Sequence, residues 1–386
     1  MKDSPLLALG FRPFYLLAGL LAAAGVALWL RAYTGDAHFG TYLQGILWHS
    51  HEMLFGFVAA AMTGFLFTAV RNWTGQSTPT GAMLGLIALL WILARVLFLS
   101  GPTVLAVALD LAFLPVITAG VAIPIIRSRN QRNYKILGVL VTLCALHLSF
   151  HLALAGELPG WLSRASLLAA IDTVVILFAL VGGRVIPAFT RNAVPDSDPT
   201  HKPWLEVCAF GLLILIAAMT LLGGSITLAP WVPATVLFLA AAAHALRLAY
   251  WQPQLTLDNP LLWMMPVAYS WLPLALLLQG LSSLGMVMPG TWIHALTVGA
   301  LSSLIVAMMM RSSLGHTGRK LVASRADIAA FLLLQSAAIL RVIAGMTGSY
   351  QAVVVISGVL WILAFLVFLL RYAPMLLRPR VDGRPG

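Results

Sequence analysis

Charge is what this sequence lacks most. Of 386 residues only 9% are Asp, Glu, Lys or Arg, against about 25% in an ordinary soluble domain. A water-facing shell cannot be built from so few. Disorder is excluded too, because 61% of the residues are hydrophobic and mean hydropathy is +0.95. The solvent for most of this chain is lipid. Cysteine is almost missing: Cys144 and Cys208 are the only two, too few for a disulfide framework. There is no Cys-x-x-Cys-His for covalent haem attachment, no G-x-x-x-x-G-K-[ST] loop and no Ser/His/Asp hydrolase motif. With no soluble nucleotide-binding domain, ATP-driven transport is excluded. A cleavable signal peptide is not expected, since Arg12-Pro13 interrupts the first apolar stretch and the run from Phe14 to Leu30 is long enough to stay as a spanning helix.

What is present is a series of long apolar runs. A helix needs about 20 such residues to cross a bilayer. Twelve runs qualify, at 13–33, 45–70, 81–99, 103–126, 135–154, 163–184, 204–223, 230–250, 261–281, 289–311, 326–346 and 350–373. They are too long for barrel strands and lack strict alternation. The expected fold is an all-α polytopic membrane protein of twelve transmembrane helices. No linker or clear repeat divides it, so residues 1–386 are read as one integral membrane domain. The Pro/Asp-rich 185–203 stretch is the longest connection.

The net charge of +11 would suggest nucleic acid in a soluble chain. Here it follows topology. With both termini cytoplasmic, only Arg31, Arg95, Arg164 and Arg341 fall on the outer side, leaving nineteen of the 23 Lys and Arg inside. That asymmetry is the positive-inside pattern. It places both termini on the cytoplasmic side of a membrane, and no nucleic acid partner is expected.

Ionisable residues within lipid are costly and mark functional sites. His49 and His51 begin the second span, His147 and His151 end the fifth, and His294 begins the tenth. By the topology above, five histidines from three distant helices share the outer third of the bilayer. Imidazole suits copper, zinc and iron, and haem iron takes axial His. His147 and His151 are one helical turn apart and can share a metal, with Cys144 on the same stripe as a soft ligand or a small packing residue. His49 and His51 point about 200° apart on a helix, so they serve two sites. Glu52 can orient an imidazole. The alternative is that these histidines only hydrogen-bond between helices. Arg95 and Arg341, at outer helix ends, either hold haem propionates or snorkel to headgroups. Asp110 and Asp172 can bind a proton, pair with Arg or orient His. On the inner face, the dense Gly182-to-Asn192 turn and the Leu314-to-Arg319 loop are basic by topology alone. A second site or partner surface near His244, Arg247, Arg191 and His316 is the functional alternative.

Five segments carry a resemblance. They are Gly10-Phe11-Arg12-Pro13-Phe14, the run from Trp48-His49-Ser50-His51-Glu52 to Phe57, the Gly183-to-Asn192 stretch, His294-Ala295-Leu296-Thr297-Val298-Gly299, and Leu314-Gly315-His316-Thr317-Gly318-Arg319. Together they resemble the NnrS family of bacterial inner-membrane proteins across nearly the whole chain. The resemblance implies a twelve-helix protein carrying haem and copper and linked to nitric oxide and nitrosative stress. The architecture is also similar to the catalytic subunits of haem–copper oxidases and nitric oxide reductases, a likeness that does not fix function.

The reading that follows is a haem–copper membrane protein that relieves nitric oxide stress by binding or reducing nitric oxide in the outer half of the bilayer. The haem is of b type, held by His49 or His51 with His294; copper is held by His147 with His151. Asp172 or Glu52 would lie on a proton path. Electrons would come from a partner protein or a quinol. A sensor or haem/copper-handling protein without turnover is the first alternative, and a proton-coupled secondary transporter the second.

Overall fold

The computed structural model describes residues 4–36, 42–345 and 350–384; Lys2, His38 and the end of the expected eleventh span at 346 lie outside them. Among the described residues, twelve helices are long and apolar enough to cross a membrane. They are α1 Phe11–Tyr33, α2 Gly45–Thr74, α3 Gly81–Ser100, α4 Thr103–Arg127, α5 Gln131–Leu154, α6 Trp161–Ala193, α7 Pro203–Leu222, α8 Trp231–Ala249, α9 Pro260–Ser283, α10 Pro289–His316, α11 Arg325–Ala344 and α12 Tyr350–Leu377. No strand occurs among the described residues. In lipid every backbone group must be satisfied within the segment, which selects helices.

The chain forms two compact units. The first is Met1–Ala170, Met309–Leu321 and Phe365–Gly386; the second is Ile171–Met308 and Val322–Ala364. In the first, α1, α2 and α4 close tightly on small residues. A side chain on Gly64 would meet the Tyr15 ring at 2.9 Å, and one on Gly120 would meet the Phe67 ring at the same distance. Buried Arg12 donates to the carbonyls of Leu376 at 2.9 Å and Arg378 at 2.7 Å. It thereby serves the carbonyls at the end of α12 that have no helical partner. Arg380 does the same for His316 O at 2.9 Å. The Gly10-to-Phe14 segment thus ties the chain's two ends to one end of this unit.

Two helices contain π-helical turns: Glu52–Val58 in α2 and Ala295–Ser302 in α10. Each directly follows a histidine named above. A π turn adds a residue per turn and re-aims the side chains around it. The Gly56 carbonyl, within the first, accepts from Trp91 Nε1 at 3.2 Å. Two expected connections are helical instead. The Gly182-to-Asn192 stretch continues α6 to Ala193, with Pro187 inside the helix, and the helix before Leu314 runs on to His316. The α6 extension has a packing reason: side chains on Gly182 and Gly183 would fall 3.1 Å from Tyr269 and 2.3 Å from Arg247. These glycines seat two large side chains rather than making a turn.

Candidate metal centre

The first unit gathers four metal-ligand side chains at one point: His51 from α2, Asp110 from α4, and His147 and His151 from α5. All four are buried, none more than 3% exposed. Asp110 Oδ2 lies 3.0 Å from His51 Nε2, 2.9 Å from His147 Nε2 and 3.2 Å from His151 Nε2. His147 Nε2 is 3.3 Å from the Nε2 atoms of both His51 and His151. Metal–imidazole bonds of about 2.0–2.1 Å in a tetrahedron place ligand atoms about 3.3–3.4 Å apart. The two Nε2–Nε2 separations match atoms around one small ion, and the three Asp110 contacts are somewhat shorter.

The atoms on the far sides of the rings support this. His51 Nδ1 donates to Glu52 Oε1 at 3.0 Å. In a neutral ring that leaves the Nε2 lone pair facing the Asp110 carboxylate, a repulsive arrangement that a cation between them relieves. His151 Nδ1 meets the Tyr42 hydroxyl at 3.0 Å, and the two rings stack 8° from parallel. Burial and the nearby Asp110 carboxylate push the Tyr42 phenol above its ordinary range, so it keeps its proton. The His147 ring lies against Phe55, with centroids 3.9 Å apart.

Arg95 completes the charge balance. It pairs with Asp110 Oδ1 and sits 3.4 Å from Glu52 Oε2. With neutral imidazoles, two carboxylates and one guanidinium leave one net negative charge in a buried site, which a bound cation offsets. Gly56 makes the room: a side chain there would fall 3.2 Å from Arg95 Nη1 and 3.3 Å from Glu52 Oε2. The donor set, three imidazoles and a carboxylate, fits a first-row transition metal. Because Tyr42 only orients His151, Tyr42→Phe should weaken metal binding by about 10–100-fold without abolishing it, measured by competition with a chelator.

The other expected site residues have their own partners. His49 turns away from His51 and stacks on Trp29 of α1, centroids 4.7 Å apart. His294 belongs to the second unit, where its Nδ1 bonds to Gly290 O at 2.9 Å. Arg95 faces the two carboxylates, and Arg341 donates to the Tyr350 hydroxyl at 2.9 Å. Cys144 contacts Thr118 at 3.5 Å. Asp172 accepts from Thr220 at 2.7 Å.

His244 and Arg247 share one buried network with Glu206 and Tyr269 in the second unit. Arg247 grips both Glu206 oxygens at 2.7 and 2.8 Å and donates to Tyr269 at 2.6 Å. Tyr269 must accept from Arg247, so its own proton goes to His244 Nδ1 at 2.8 Å. Arg191 donates to Pro199 O at 2.8 Å, and His316 lies in the first unit beside Phe11. Sequence reasoning named Asp110 without placing it among the metal ligands, and left out Tyr42. Asp110 was one of several intramembrane acids, and Tyr42, in a connection, carries no pattern that would single it out.

The sequence profile of the family described as NnrS protein matches residues 5–380. The chain belongs to the NnrS family. No curated protein matches it. The Trp48-to-Phe57 segment, within the matched range, holds three participants of the cluster: His51 as a ligand candidate, Glu52 behind it and Gly56 beside Arg95. An NnrS chain with this constellation is a multi-pass membrane protein with a buried His/Asp group able to hold a metal ion.

Proposed function

We propose that this NnrS protein is a haem–copper protein of the bacterial cytoplasmic membrane, with both termini inside, that relieves nitric oxide stress. Copper would be held by His51, Asp110, His147 and His151, and nitric oxide bound or reduced there. The observation that carries this is the convergence of three Nε2 atoms on Asp110 Oδ2 at 2.9–3.2 Å. When bound, copper supplies a redox-active site for a diatomic ligand. The chain's own groups fix it: Glu52 and Tyr42 hold the outer ring nitrogens of His51 and His151, and Arg95 holds Asp110 in place. Nitric oxide is small and apolar and reaches such a site through lipid. Reduction would need protons and an electron donor, a partner protein or a quinol.

The cluster itself does not fit haem. Axial ligands on opposite faces of a porphyrin iron stand about 4 Å apart with the macrocycle between them. These ligand atoms are closer, and side chains close them in. Haem of b type is proposed from family membership, with the half-buried His294 of the second unit as a candidate for its iron and Arg341 of the same unit for a propionate; the half-buried His49 of the first unit is a separate candidate. A second reading, binding or sensing without turnover, is favoured by the closed four-ligand set, since catalytic metal sites keep an open position.

The test adds nitric oxide anaerobically to the reduced, purified protein and follows its visible and infrared spectra. Both readings expect a nitrosyl signature. Continued consumption under reductant supports reduction, and uptake that stops at one equivalent supports binding. Metal-loaded protein with no spectral response would overturn both. His49→Ala should keep full copper content, because His49 lies outside the cluster.

A further inference from the structure

We propose that Asp172 is a proton-binding site of the second unit: a neutral carboxylic acid that exchanges its proton with water through a cavity at the ends of α7, α8 and α9. Two observations carry this. Asp172 is 6% exposed, and its polar partner among the described residues is the Thr220 hydroxyl, donating at 2.7 Å, with no salt bridge to a charged group among them. Other acids within the spans are treated differently. Glu52 and Asp110 share Arg95, Glu206 holds Arg247, and Asp327 caps α11 with Ser324. An isolated carboxylate buried in this way is too costly to keep its charge, and one hydroxyl does not compensate for it. The group therefore holds a proton.

The second observation is the cavity of about 320 Å³ on the other side of Thr220. Its walls carry the polar side chains Thr220, Thr227, Gln279 and Ser283 and no ionisable group. Water occupies about 30 Å³ per molecule in the liquid, so the cavity has room for several. It reaches the exposed residues that follow α7, among them Ile226 at 50% exposure. Thr220 both lines this space and donates to Asp172, so one residue touches both the carboxyl and the cavity. A hydroxyl that donates and accepts can pass a proton between them. All of these residues lie in the second unit and none in the metal cluster.

Infrared spectroscopy of the full-length protein in detergent reads the site directly. At neutral pH the wild type should show the carbonyl stretch of a protonated carboxylic acid, and Asp172→Asn should lose that band. In heavy water the band should shift as the proton exchanges. Thr220→Val, which keeps the carboxyl, should move the band toward that of an acid without a hydrogen-bond donor and slow its exchange. Identical wild-type and Asp172→Asn spectra in this region would mean that the carboxyl is ionised and would overturn the proposal. A band that stays fixed in heavy water would also overturn it, since the site would then be sealed. The wild-type exchange measurement stands even if a variant fails to fold. Copper content should be unchanged in both variants, so failure here and failure of the metal reading are separately visible.

Discussion

Asp110→Ala is expected to leave the purified protein without copper and to lower its stability by about 1–3 kcal/mol. Both effects come from one residue's position. Its Oδ2 meets all three imidazoles, and its Oδ1 holds Arg95. Removing the carboxylate takes away the anionic ligand and leaves the Arg95 guanidinium in a buried site with Glu52 alone. Glu52 still offsets the guanidinium charge, so the cost is that of the lost charge-assisted hydrogen bonds to a buried group rather than of a stranded charge. Elemental analysis reads the first effect and a denaturant titration in mixed micelles reads the second. An Asp110→Ala protein with full copper and wild-type stability would mean that the carboxylate is neither ligand nor ion-pair partner.

Arg95→Met should be more damaging, for the opposite reason. It leaves Glu52 and Asp110 together without their cation, two negative charges in a site almost closed to water. The expected loss is about 3–5 kcal/mol. Bound metal would offset part of it, so the variant should be more sensitive to chelators than the wild type. Adding Glu52→Gln should restore part of the lost stability, because it removes one of the two stranded charges. The double-variant cycle measures that coupling. If Arg95 only reached toward headgroups, both the single and the double variant would be nearly neutral.

The twelve spans were legible because lipid imposes a length that a sequence cannot hide: about 20 apolar residues between polar breaks. Their ends were less so. The expected sixth span stopped at 184, whereas α6 runs to Ala193. Gly182, Gly183 and Pro187 read as a turn, yet the glycines seat Tyr269 and Arg247. Part of the cluster could also be read. One-turn spacing places His147 and His151 side by side, and the wide angle between His49 and His51 sends one to Trp29 and the other to the cluster. What periodicity could not supply was which helices meet. Asp110 takes its role from the packing of α4 beside α5 and α3. Tyr42 lies before α2 in a connection. The π turn after His51 depends on hydrogen bonds between residues five apart, and no residue pattern announces it.

The most direct test is the copper X-ray absorption spectrum and copper content of the wild type beside those of the His51→Ala/His147→Ala double variant. The wild type should hold one copper per chain, ligated by nitrogen and oxygen at about 2.0 Å, and the double variant should hold none. Copper bound through sulfur, or copper retained at the wild-type level in the double variant, would contradict the assignment and place the metal elsewhere in the chain.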